Sequence, residues 1–385
     1  MRSLSSITNR LTGQPMFNVL ERANKLEHQK DEKFLRFEIG DIDLPPFNHI
    51  LEATKKAIDD GHYRYVPSSG VDDFKEAIAN EINRTHGYTP DHSNIMAIPA
   101  NAAIDLVIRC VLDVGDEVLY PSPGFSTYGS VVNYTGVTGV PYLLNADDDF
   151  SYDFDYIESL ITSNTKLMII NSPSNPLGSL MSKEDIEGIC RLCEKYDLYL
   201  LSDEIYSKLI YEKEFISPCF YEDMRKRTII LNGFSKNYSM PGWRLGYIVA
   251  PSEIIRKVSL LFETTYSCLP AFIQYAGISA LDSGKKLMDE RLGILRNRRN
   301  ILSQGLNEIS GISCKPADGS IFLFPDIRET GMTSDEFVNF AMEECKVVVL
   351  PGNAFGENGE GFFRMSFARS EDQIIKAVEN IKKAL

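Results

Sequence analysis

No stretch of the 385-residue chain approaches the roughly 20 consecutive apolar residues that a helix needs to cross a bilayer. Met1-Arg2-Ser3-Leu4-Ser5-Ser6 lacks the apolar run of a secretory leader. The seven cysteines are scattered. Cys190 and Cys193 form a CxxC, but the segment reads as helix and no second pair follows at zinc-like spacing. The expectation is reduced thiols in a cytoplasmic protein, with no metal site and no membrane partner. Positive charge is also short: 40 Lys and Arg stand against 54 Asp and Glu, a net charge of −14. That balance argues against general binding to nucleic acid, which depends on cationic contacts to phosphate. No fixed-period repeat is visible, which argues against solenoids.

Hydrophobic residues make up 43% and charged residues 24%, as in a folded globular protein. Single cores stop growing beyond roughly 250–300 residues, so one large and one smaller domain are expected. The middle of the chain alternates short apolar runs with helical patterns. Strands are expected at Ile95–Ile98, Glu117–Tyr120, Lys166–Asn171, Leu198–Asp203, Thr228–Asn232 and Leu245–Val249. Runs such as Leu167-Met168-Ile169-Ile170 suit strands buried on both faces, as in a mostly parallel sheet covered by helices. Phe74, Ile78 and Ile82 mark a helix that Gly87 stops, and Ser182 caps another. Thr333-x-x-Glu336 and Ser370-x-x-Gln373 read as capping boxes, among shorter strand pieces at Ile321–Phe324, Val347–Leu350 and Phe362–Phe367. A long charged helix is expected through Arg291–Asn300. The C-terminal part thus has the makeup of a separate α+β domain.

Three strand ends carry the chemistry. One leads into Ser172-Pro173-Ser174-Asn175-Pro176-Leu177-Gly178, one into Asp203-Glu204-Ile205-Tyr206, and one into Gly233-Phe234-Ser235-Lys236. Ligands of open parallel sheets bind beyond the carboxyl ends of the strands, so these segments gather at one edge. The Pro241-Gly242 turn folds the chain back and brings Arg244 near Lys236, two cations for one anionic site. A phosphate explains that pairing, with Ser235 and Arg244 as donors and Lys236 left for covalent chemistry. Taken singly, each residue has an ordinary explanation as a surface charge, helix cap or core aromatic; the joint pattern does not.

That pattern resembles the class I/II aminotransferases, pyridoxal-phosphate enzymes of the aspartate-aminotransferase fold. The likeness is carried by Ser235-Lys236 with Met240-Pro241-Gly242-Trp243-Arg244-Leu245-Gly246-Tyr247, by Asp203-Glu204-Ile205-Tyr206, by Asn171–Gly178, and by Arg364 within Phe363-Arg364-Met365-Ser366. It runs from about Leu35 to the C-terminus. The resemblance implies fold type I, a three-layer α/β sandwich with a mostly parallel central sheet, plus a smaller α+β domain. The large domain would span residues 46–282, and residues 1–45 and 283–385 would form the small one.

The resemblance also implies roles. Lys236 forms the Schiff base with pyridoxal 5'-phosphate and shuttles the substrate proton. Asp203 faces the pyridine nitrogen, and Asn175 and Tyr206 bond the phenolic oxygen. Ser235, Arg244 and the backbone of Ala100 and Asn101 hold the phosphate at the start of a helix expected near Ala102. Here Pro99 departs from the family's usual glycine-rich turn. Phe125 stacks on the cofactor, and Tyr65 reaches the phosphate of a neighbouring subunit, which implies a homodimer with shared sites. Arg364 grips the substrate α-carboxylate, bordered by Gly40 and Asn175. The implied reaction moves an amino group between an L-amino acid and a 2-oxo acid by a ping-pong route, with glutamate and 2-oxoglutarate as the default pair. A carbon–sulfur β-lyase on the same scaffold is the alternative, and a non-catalytic regulator a remote one. Ile42 and Tyr266 are expected to border the substrate pocket.

Overall fold

The computed structural model describes residues 3–385; Met1 and Arg2, which open the segment read above as leaderless, lie outside the described residues. Nine of its helices matter here. In chain order they are α1 (Pro15–Lys30), α2 (Asp72–His86), α3 (Ala100–Val111), α4 (Thr127–Thr135), α5 (Lys183–Lys195), α6 (Ser252–Tyr266), α7 (Lys285–Asn307), α8 (Ser334–Glu343) and α9 (Glu371–Ala384). Helix α2 buries Phe74, Ile78 and Ile82 and stops at Gly87, whose φ of +74° suits a residue without a Cβ. Helix α5 opens on a complete Ser182/Asp185 capping box, and α8 on Thr333/Glu336. At α9 only half of the expected box forms: Ser370 accepts from the Gln373 N–H. The long charged helix is α7, which extends beyond the expected span at both ends. Cys190 and Cys193 are buried in α5, and burial pushes the Cys190 thiol up to about 12.

Seven strands form the central sheet: β1 (Ile95–Ala97), β2 (Glu117–Ser122), β3 (Thr138–Leu143), β4 (Thr165–Asn171), β5 (Tyr199–Asp203), β6 (Thr228–Gly233) and β7 (Gly246–Val249). Their order is β1-β7-β6-β5-β4-β2-β3, and β7 alone runs against its neighbours. Strand β3 was not expected from sequence. Gly139 and Pro141 break its strand character, and its place at the sheet edge tolerates a residue with no N–H. Strands β4, β5 and β6 are buried almost throughout, as their continuous apolar runs demand.

A second, three-stranded antiparallel sheet joins β8 (Phe322–Leu323), β9 (Leu350–Pro351) and β10 (Phe363–Ser366) in the order β9-β10-β8. These strands are shorter than the sequence suggests. Leu35–Arg36 pairs in parallel with Val347–Val348, so the two chain ends meet. Their apolar side chains share a core: Phe37 and Ile42 pack with Leu302, Phe337, Phe363 and Ile374. The segment before α1 instead leans on α4, where Gln14 Nε2 donates to Thr127 Oγ1 at 2.9 Å. The far half of α1 turns the other way: Arg22 pairs with Glu343 at 2.6 Å, and Ala23 packs with Met342.

Candidate active site

Register sets the floor of the site. Asn171 at the end of β4 lies beside Asp203 at the end of β5, and Asp203 beside Leu231 on β6. Asn171 secures this edge from both sides. Its Nδ2 donates to the Asp203 carbonyl at 3.0 Å, and its Oδ1 accepts from the Asn175 N–H at 2.8 Å. Beyond β6 the chain makes one short helix, Phe234–Asn237, which projects Ser235 and Lys236 from the same edge.

A cavity of about 430 Å³ opens above these strand ends and beneath β8 and β10. Gly40, Ala100, Asn101, Phe125, Asn175, Asp203, Tyr206, Ser235, Lys236, Arg244 and Arg364 all line it. Tyr65 does not; it is 90% exposed on the surface. Two pocket expectations are corrected. Ile42 is buried in the core shared by the chain ends, and Tyr266 is exposed at the end of α6, stacked on Phe262. Neither borders the cavity.

The electrostatics of the cavity are unusual for a protein interior. Burial, with the Arg364 and Arg244 guanidinium groups nearby, lowers the Lys236 amine to about 8, although Asp41 opposes the shift. Its Nζ donates to the Gly40 carbonyl. Glycine at residue 40 also leaves room for Phe322, since a Cβ there would lie 2.5 Å from Phe322 Cζ. Burial raises the Asp203 carboxyl to about 6, even though Tyr128 Oη donates to its Oδ2 at 2.6 Å and Ile205 N–H donates to its Oδ1. Tyr206 is buried and its phenol is pushed up.

Arg364 is 2% exposed and, among the described residues, pairs with no carboxylate. Nη1 donates to Asn175 Oδ1 at 2.8 Å and Nη2 to the Glu38 carbonyl at 2.6 Å, while Nε has no partner. Its carbon sits 4.0 Å from the Phe322 ring centre. A buried guanidinium with free donors is costly unless an anion completes it.

The start of helix α3 also lines the cavity. Helix α3 begins at Ala100, two residues earlier than expected, after Pro99 as N-cap with no side-chain cap. Its first N–H groups therefore lack helical partners and face an anion favourably. Gly246 lets this turn approach β7, since a Cβ there would meet the Ala100 nitrogen at 3.1 Å. Arg244, whose Nη1 donates to the Pro241 carbonyl, and Ser235 line the same cavity. The donor set fits pyridoxal phosphate: a phosphate end, a buried carboxylate, an amine near neutrality and a separate guanidinium for a substrate carboxylate.

Several lining residues carry no sequence signal. Gln14, Met16 and Phe17 reach the cavity from the start of α1, and Phe322 from β8. Tyr128 touches Asp203 from α4; its place three residues after Phe125 was the only available hint.

Residues 32–381 match the family model described as aminotransferase class I and II. The chain is 36% identical to a probable aspartate aminotransferase of Methanocaldococcus jannaschii over 352 residues, 90% of this chain and 92% of that one. It is 34% identical to aromatic-amino-acid aminotransferase 2 of Thermococcus litoralis, with 92% of each covered. The solved aspartate aminotransferase from Thermus thermophilus with maleate superimposes with a TM-score of 0.95 at 28% identity, covering 100% of both chains. The chain therefore belongs to the class I and II aminotransferases, and it is a pyridoxal-phosphate-dependent enzyme that moves an amino group between an amino acid and a 2-oxo acid.

Proposed function

We propose that Lys236 carries the cofactor and takes the proton from the substrate α-carbon, and that Arg364 selects substrates bearing an α-carboxylate. The observation that supports this most is the pairing of a lowered amine with a buried guanidinium lacking a carboxylate partner in one cavity. Pyridoxal phosphate, when bound, supplies an aldehyde for the amine and a ring that draws electrons from the α-carbon. Asp203 would face the ring nitrogen, and Asn175 and Tyr206 would hydrogen-bond the ring oxygen. Ser235, Arg244 and the N–H groups of Ala100 and Asn101 would hold the phosphate, with Phe125 lining the ring pocket. Near pH 8 about half of the Lys236 amine is neutral, so Nζ is able to accept a proton. The Gly40 carbonyl accepts a hydrogen bond from the free Nζ and so holds the amine beside the cavity.

Residues 46–282 serve as the cofactor domain, and residues 1–45 with 283–385 as the smaller one. The stretch before α1 is a strap between them, since it bonds to α4 while α1 packs on Met342. Tyr65 serves a second copy of the chain, so the working unit is a homodimer. A cytoplasmic setting suits the unpaired cysteines, five of them buried, and no described helix is long and apolar enough to cross a membrane.

A panel of L-amino donors with 2-oxoglutarate tests the reading. Parallel double-reciprocal plots and formation of the matching 2-oxo acid are expected. Intersecting plots, or no oxo acid from any donor, overturn it.

A further inference from the structure

The Asp203 carboxylate has a partner that the roles above leave unused. Tyr128 sits on the first turn of α4 with its side chain fully buried, and its hydroxyl donates to Asp203 Oδ2 at 2.6 Å. The Phe125 ring meets it edge-on, with centroids 5.6 Å apart, and fixes its direction. On the other oxygen, Ile205 N–H donates to Oδ1 at 3.2 Å. Each oxygen is thus held by one protein donor, with lone pairs left for a ligand.

The other charged or titratable groups near Asp203 do not share this contact. Glu204 follows it in the chain but turns away, accepting from Ser202 and Ser217 and meeting His86 Nε2 at 2.8 Å. Tyr206 from the same loop, Lys236 beyond β6 and Arg364 from β10 line the cavity without a hydrogen bond to the carboxylate.

We propose that Tyr128 is a positioning residue whose hydroxyl aims the Asp203 carboxylate at the cofactor ring nitrogen and keeps it ionised. The proposal rests on the reading of Asp203 as the ring-nitrogen partner. The physical need is plain. Burial works against the charged carboxylate, and Glu204 adds a like charge, so the group stands at about 6. The Tyr128 and Ile205 bonds oppose that rise by favouring the ionised form. Tyr128 is suited to be a donor that keeps its proton, because burial and the facing carboxylate push its phenol far above the ordinary value. A charge-assisted bond of this kind changes proton affinity by roughly tenfold to a hundredfold. Loss of the hydroxyl therefore moves the Asp203 titration up through neutrality.

The test is the affinity for pyridoxal phosphate, measured by equilibrium dialysis from pH 5 to 9, with thermal unfolding followed on the same samples. The parent, Tyr128→Phe and Asp203→Asn are compared in a Lys236→Ala background, so titration of the ligand cancels and that of Lys236 is removed. Affinity falls on the acid side as Asp203 takes up a proton. In Tyr128→Phe that acid limb is expected to move up by about one to two pH units. A Tyr128→Phe limb that superimposes on that of the parent overturns the proposal. Asp203→Asn is expected to lose the limb. If Asp203→Asn instead keeps it unchanged, the reading of Asp203 fails, a result distinct from failure at Tyr128. Should Tyr128→Phe not fold, 3-fluorotyrosine at position 128 decides. Its stronger donor is expected to move the limb down, and an unmoved limb overturns the proposal.

Discussion

Arg364→Lys separates charge from geometry in the substrate grip. Of the five N–H donors of a guanidinium, two are used inside the protein, on Asn175 and Glu38, and three remain. A planar carboxylate takes two of these side by side, which a lysine ammonium cannot offer. A hydrogen bond between charged groups contributes about 1.5–3 kcal/mol, so loss of one of the pair lowers kcat/KM by roughly 10- to 100-fold. The proposed grip would hold the carboxylate in both ground and transition states, so most of the loss is expected in KM. Part of any loss comes from Asn175 and Glu38, which also lose their donor. The assay therefore compares single-turnover kinetics of an L-amino acid with those of the matching amine without a carboxylate. The amine is expected to react slowly with wild type and to lose little more in the variant. Equal losses for both substrates, or no loss for the amino acid, refute the assignment.

Gly40→Ala is expected to slow catalysis as well as lower stability. Its Cβ would press on Phe322, which is buried beneath Arg364. Overpacking of this kind costs about 1–3 kcal/mol, to be read from thermal unfolding alongside kcat/KM. The pH dependence of cofactor capture reports on Lys236. Capture needs the neutral amine, so its rate is expected to rise with pH around a midpoint near 8. In Arg364→Gln one of the cations that depress the amine is gone, and the midpoint moves up. It stays below the ordinary lysine value because burial, the larger cause, remains. Stopped-flow absorbance across pH 6 to 10 checks both midpoints.

The residues proposed to hold the cofactor could be singled out from sequence because they lie in short segments that each end a strand, and all of them line one cavity. Ser235, Lys236 and Arg244 fall within ten residues, and Asp203 and Asn175 each follow an apolar run. Register then places Asn171 against Asp203, which a parallel sheet requires. The far wall was not legible. Met16, Phe17 and Phe322 are ordinary apolar residues brought in by the packing of distant elements. Tyr128 looks like any core tyrosine until Asp203 is seen opposite it. Strand β3 was hidden by Gly139 and Pro141, whose local preferences are outweighed by pairing with β2. The misplaced Tyr266 shows the converse: a polar-tipped aromatic close in sequence to a loop, turned to the surface by the end of α6.

If Lys236 works as proposed, the enzyme runs one half-reaction and stops until an acceptor arrives. The direct test mixes cofactor-loaded enzyme with an L-amino acid and no 2-oxo acid, then counts product. About one 2-oxo acid per chain is expected from wild type and none from Lys236→Ala. Continued turnover without acceptor, or an undiminished yield from Lys236→Ala, would contradict it.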